Sequence, residues 1–249
     1  MLQRLLISLF CAFSFMLEAQ NLNWEWGSLQ RSKGALIGIL PAENQQFSTI
    51  HASTQLGSSA YTLTQYEQLN GVASTKIKPV SPEGFGYYQH TLRLKNGHAV
   101  FIADRDGKEM KLFVKVLDAE FNVVEELEIL TYIDTRPNAQ PTFNLIEAPS
   151  QAFFVAYYQI PGKRNGVDTY GYKLFDQDLT AMTSGEYNLP FDANLSSIED
   201  YFVTDNGDFL IGVLEMSAVE NQGIRMRKTF KNLHVYQINQ AGLKDYTFD

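Results

Sequence analysis

The sequence predicts an all-β protein built from repeated four-stranded antiparallel sheets. Three observations predict it. After residue 20 no stretch keeps a 3.6-residue apolar period over three turns, while short runs rich in β-branched and aromatic residues recur between Gly, Asn, Asp and Pro. Asn-Gly and Asp-Gly dipeptides fall between those runs, where a hairpin needs positive φ. Two longer phrases also return along the chain. The 249 residues are 45% apolar and 19% charged, enough to bury a core and too apolar for intrinsic disorder. The net charge of -8 disfavours nucleic acid as a partner.

The first segment reads as an address. Arg4 supplies a short positive region, and the apolar run from Leu5 to Leu17, about 13 residues, has the length of a secretory signal core. A spanning helix needs roughly 20. Cleavage after Ala19 is expected, although Leu17 meets the small-residue rule poorly. That leaves residues 20–33 as a lead-in and no transmembrane span. Cys11, the only cysteine, sits inside the apolar run rather than after it, so lipidation is not expected. The mature chain then holds no thiol, which suits an oxidising, extracytoplasmic compartment.

The strands follow in order. Lys111 to Leu117 and Leu233 to Ile238 largely alternate apolar with polar, as strands with one buried face do. Phe153 to Tyr158 and Phe209 to Leu214 are apolar throughout and suit strands covered on both faces. Lys95-Asn96-Gly97-His98 and Asp205-Asn206-Gly207-Asp208 are expected two-residue hairpins, with Asp106-Gly107 a third turn.

The first repeated phrase is an alternating strand, a polar residue, a turn and a second strand. It covers residues 62–77, 113–129, 172–189 and 235–248. Tyr66, Leu117, Phe175 and Ile238 are equivalent, followed by Glu67, Asp118, Asp176 and Asn239; the intervals are about 51, 58 and 63 residues. An extended run, a tight turn and a very apolar strand precede it at 90–104, 143–158 and 200–215, with a degenerate version at 34–53. Each unit therefore holds about four strands. A sheet with two apolar faces cannot cover both alone, which is the physical reason for repetition.

This pattern resembles the β-propeller superfamily over nearly all of residues 34–249. The expected blades are roughly 34–80, 84–133, 141–190 and 198–249. No unit carries the Gly-His and Trp-Asp signature of WD40 repeats or a kelch glycine pair; Trp24 and Trp26 precede the first unit. The units look more like the divergent blades of secreted bacterial proteins. The likeness implies an extracytoplasmic propeller and no particular activity. The rival fold is a pair of β-sandwiches. Four blades is the rare minimum for a closed ring. The expectation is therefore an incomplete propeller, with two apolar blade faces left open.

Chemistry-bearing motifs are sparse. His51, His90, His98 and His234 show no metal-ligand spacing, and Asp104 to Glu109 is too short and too cationic for a calcium loop. No nucleophile elbow or phosphate-binding glycine motif occurs. Glu125-Glu126 and Glu199-Asp200 are adjacent in strands, so each pair points to opposite faces. Catalytic residues, a metal and a cofactor are therefore not assigned. The feature that stands out is basic: Lys163 and Arg164 in the third B–C connection, and Arg225, Arg227, Lys228 and Lys231 in the fourth. On a propeller these connections share a rim with the blade-to-blade loops. They are the candidate surface for an acidic protein patch or an anionic glycan.

The expected function is a non-catalytic binding or scaffold module, secreted or at the cell envelope. The alternatives are a glycan- or peptide-cleaving propeller enzyme, which a His–carboxylate pair at the channel mouth would favour, and the sensor domain of a longer protein.

Overall fold

The structure, a computed structural model, describes residues 34–41, 46–55, 58–77, 86–136, 139–162, 166–219 and 227–249. The expected signal and lead-in lie outside them. Among the described residues sixteen strands form four antiparallel meanders, each in chain order. The first sheet holds β1 (Ala35–Pro41), β2 (Gln46–Gln55), β3 (Ser58–Glu67) and β4 (Asn70–Ile77). The second holds β5 (Tyr87–Leu94), β6 (Gly97–Asp106), β7 (Glu109–Leu117) and β8 (Val123–Ile133). In the third are β9 (Asn144–Glu147), β10 (Phe153–Ile160), β11 (Thr169–Asp176) and β12 (Ala181–Asn188). The fourth comprises β13 (Ser196–Val203), β14 (Phe209–Val219), β15 (Arg227–Asn239) and β16 (Gly242–Phe248). No helix among the described residues is long and apolar enough to cross a membrane.

The sheets stack in sequence as a propeller-like array of four blades. Strand pleating explains how: alternate residues of one strand reach opposite neighbours. On β6, Val100 and Ile102 join Ile50, Leu63 and Phe121 between the first and second sheets. Ala99, Phe101 and Ala103 join Phe154 and Tyr158 between the second and third. On β10, Val155 and Tyr157 turn the other way, to Phe209, Ile211 and Tyr236 of the fourth. The inner sheets are thus covered on both faces, which two-layer sandwiches would not provide. Each fully buried Phe or Ile contributes about 2 kcal/mol through the hydrophobic effect.

Hydrogen bonds tie the seams. The Tyr61 hydroxyl donates to the Gly86 carbonyl and accepts from the Tyr88 N–H, both at 2.8 Å, joining the first sheet to the second. The Ser150 N–H donates to Asp205 at 2.8 Å between the third and fourth. Tyrosines also lie across glycines directly opposite on the next strand, Tyr158 on Gly171 and Tyr172 on Gly185. A Cβ at Gly171 would fall 2.1 Å from the Tyr158 ring.

The sheets do not close into a ring. Apolar side chains stand exposed at both ends of the array. The outward face of the fourth sheet is apolar, with Phe202 47% and Phe248 54% exposed. On the first sheet, the face opposite Ile50 and Leu63 carries Thr49, Thr62 and Thr64, all buried, beside exposed Ile39. One hairpin differs as well. Residues 204–208 form a five-residue loop, with Gly207 at φ 78°, rather than a two-residue turn. The Thr204 hydroxyl accepts the N–H groups of Asn206 and Asp208, which makes the longer loop self-sufficient.

Candidate functional site

The repeated acids of the sequence explain the local geometry of the site. Asp118 opens the loop between β7 and β8; its carboxylate accepts the N–H groups of Glu120 and Asn122 and the Asn122 amide, at 3.0, 2.8 and 3.0 Å. These bonds, the Asn122 side chain foremost, hold its carboxyl below the usual range. Asp176 repeats the arrangement between β11 and β12, accepting from the N–H groups of Asp178 and Thr180, each at 2.9 Å. Each loop then needs one residue at positive φ, Phe121 at 66° and Leu179 at 64°. Asn239 caps its own turn through the Ala241 N–H at 2.8 Å. The fourth equivalent, Glu67, is exposed at a tighter turn. The repeated polar residue is thus a hairpin cap.

The Asp176 loop and Asp118 border a cleft of about 480 Å³ spanning the second and third sheets. Its walls come from the β5–β6 turn (Leu94, Lys95, Asn96), from β7 and β8, and from Gln177, Asp178 and Leu179. Leu94, Val116, Leu117, Val124, Leu127 and Leu179 supply an apolar floor. Lys95, Asn96, Glu125, Gln177 and Asp178 stand around it with no side-chain partner among the described residues. The volume falls within the range of small-ligand sites. The cleft lies at the hairpin-turn rim, opposite the rim singled out from the sequence.

On that other rim, B–C connections and blade-to-blade segments are knitted together. The Ala193 N–H donates to the Gly166 carbonyl at 2.8 Å, the Leu189 N–H to Asp168 at 3.0 Å, and Arg105 to the Ala139 carbonyl at 2.8 Å. Of the basic candidates, Lys163, Arg164 and Arg225 lie outside the described residues. Arg227 and Lys228 belong to β15 rather than to a loop, paired in register with Val219 and Ala218. Lys228 is exposed. Lys231 is in the same strand and is consumed by Glu215 at 2.6 Å.

Two histidines meet carboxylates. His90 of β5 and Glu147 of β9 bridge the first strands of neighbouring sheets, Nε2 to Oε1 at 2.8 Å, and their side chains are 36% and 31% exposed. His234 is buried between Asp245 at 3.2 Å and Glu215 at 3.4 Å, with its ring against Phe191. Lys231 and His234 hold the Glu215 carboxyl low, the lysine more strongly. No group of three or more His, Cys, Asp or Glu among the described residues is placed to hold a metal. No protein-family model matches the chain, and no curated protein matches it in sequence.

Proposed function

We propose that the chain is a secreted or cell-envelope binding module, non-catalytic, that uses its stacked blades as a scaffold. The observation that carries this reading is the cleft between the second and third sheets, where polar side chains without partners among the described residues surround an apolar floor. The signal-like residues 1–20 support the address. Arrays of peptides and glycans, followed by calorimetry, test it. Binding to an array ligand that the Asp178→Lys variant loses is the expected result. Turnover in a broad hydrolase and lyase screen overturns it.

A second reading rests on the His90–Glu147 pair. A histidine within 2.8 Å of a carboxylate and open to solvent is a general acid/base couple. Turnover abolished by His90→Gln is what that enzyme reading requires.

A further inference from the structure

We infer that the cleft takes an extended, cationic, amphipathic peptide segment of a partner protein, laid along the exposed half of β8. The inference rests on the binding reading above and names its ligand. β8 is the outer strand of its sheet and, among the described residues, pairs only with β7. Its burial changes abruptly along its length: residues 123–128 are all exposed, and burial begins at Ile129. From Ile129 onward the strand supplies Ile129 and Tyr132 to the core shared with the third sheet. The first half is therefore exposed at the outer edge of its sheet, and Val124, Glu125 and Leu127 form a wall of the cleft. An open edge presents main-chain N–H and C=O groups that an added strand satisfies.

The side chains select the chemistry of that strand. Val123, Val124 and Leu127 are 48%, 61% and 40% exposed, so apolar residues of the ligand have somewhere to go. Glu126 is taken by Lys115 at 2.9 Å and Glu128 by the Thr131 hydroxyl at 2.7 Å. Asp118 is used by its own loop. Among the described residues, Glu125 on one wall and Asp178 on the other keep unpaired carboxylates, and Lys95 is the one cation in the lining. Opposite charges across paired strands attract and like charges repel. A second copy of β8 would set glutamates against glutamates, so self-pairing is disfavoured. An anionic peptide meets the same repulsion. The lining has no aromatic ring on which a sugar could stack.

The test uses the purified chain and a fluorescent peptide, acetyl-Lys-Val-Lys-Leu-Thr-Val-Lys-Leu-amide, whose cationic and apolar residues alternate as an amphipathic strand requires, read by polarisation. Three further probes are its Glu-for-Lys counterpart, a version N-methylated at alternate amides, and a neutral glycan. The cationic peptide is expected to bind. Glu125→Lys with Asp178→Lys should weaken it about tenfold or more, and raised salt should weaken it too. N-methylation should abolish binding by removing donors to the strand edge. Circular dichroism unchanged from wild type shows that the variant is folded. Equal binding of the Glu peptide, indifference to N-methylation, or no cationic binding overturns the inference. If the glycan binds instead and the double variant loses it, the peptide fails as ligand and the binding module stands. If His90-dependent turnover is found, the binding module itself falls.

Discussion

His98 makes the fold sensitive to mild acid. It is the second residue of β6, opposite Arg93 of β5, its ring packs on Phe121 at 5.2 Å, and its Nδ1 is buried without a hydrogen-bond partner among the described residues. Burial first, and then the Arg93 cation, drive its pKa down to about 4. The unfolded chain protonates the same ring near 6.5. Between these values the unfolded state binds the extra proton, so stability is full above about pH 6.5 and falls as pH drops toward 4. Applying the linkage relation between pH 7.5 and 5 gives a loss of about 2 kcal/mol. For a chain of this size, with an m-value near 3 kcal/mol per molar urea, the midpoint should fall by about 0.7 M. Urea unfolding followed by near-ultraviolet circular dichroism at the two pH values measures it. His98→Phe keeps a ring against Phe121 and cannot titrate, so its midpoint should change by much less. A wild-type midpoint that does not move, or a shift that survives the substitution, refutes the argument.

Other consequences can be checked on the same protein. Tyr61→Phe orphans the Tyr88 N–H and the Gly86 carbonyl, and should cost about 1–3 kcal/mol with faster amide exchange at Tyr88. Gly171→Ala drives a methyl into the Tyr158 ring and disturbs its 2.9 Å bond to Glu186; a thermal melt should show a loss of about 3 kcal/mol. Asp176→Ala removes the cap from a loop that forms the cleft wall, and chemical denaturation should register about 1 kcal/mol. Asp134 is buried and its pKa is depressed, chiefly by hydrogen bonds from Arg136. Its stabilisation is therefore present above the unfolded value near 4 and lost as pH falls below it. Asp134→Asn should flatten an acid titration in that lower range and leave the pH 5–7.5 slope intact.

The four-sheet array was legible because two local signals agree. Phe153 to Tyr158 reads as a strand covered twice, and β10 does send Phe154 and Val155 to different neighbours. Residues 95–98 read as a two-residue hairpin, and the turn does form, over Lys95 and Asn96, with Gly97 at φ 144° already in β6 opposite Leu94. The cleft was not legible, because its lining joins residues 94 and 179, which only inter-sheet packing brings together. A signal was present in the recurrence of Asp118 and Asp176. Their shared role as caps becomes visible only when the N–H groups they accept are placed. The basic stretch misled in part. Arg227, Lys228 and Lys231 read as loop residues, yet register with Val219 and Ala218 carries the β14–β15 hairpin through the first two, and Lys231 sits at a bulge of β15 with its side chain on Glu215.

The core is divided among three seams, and each seam is a private agreement between two neighbouring sheets. A substitution at Phe101 must be answered by Phe154 and has no bearing on Tyr236. Selection on such a molecule acts on adjacent pairs. Each blade has to fit the next one and is under no pressure to resemble it. Successive units can therefore drift until they share little beyond strand rhythm and a turn-capping side chain, and the repeat stays faint in residues while the architecture stays regular.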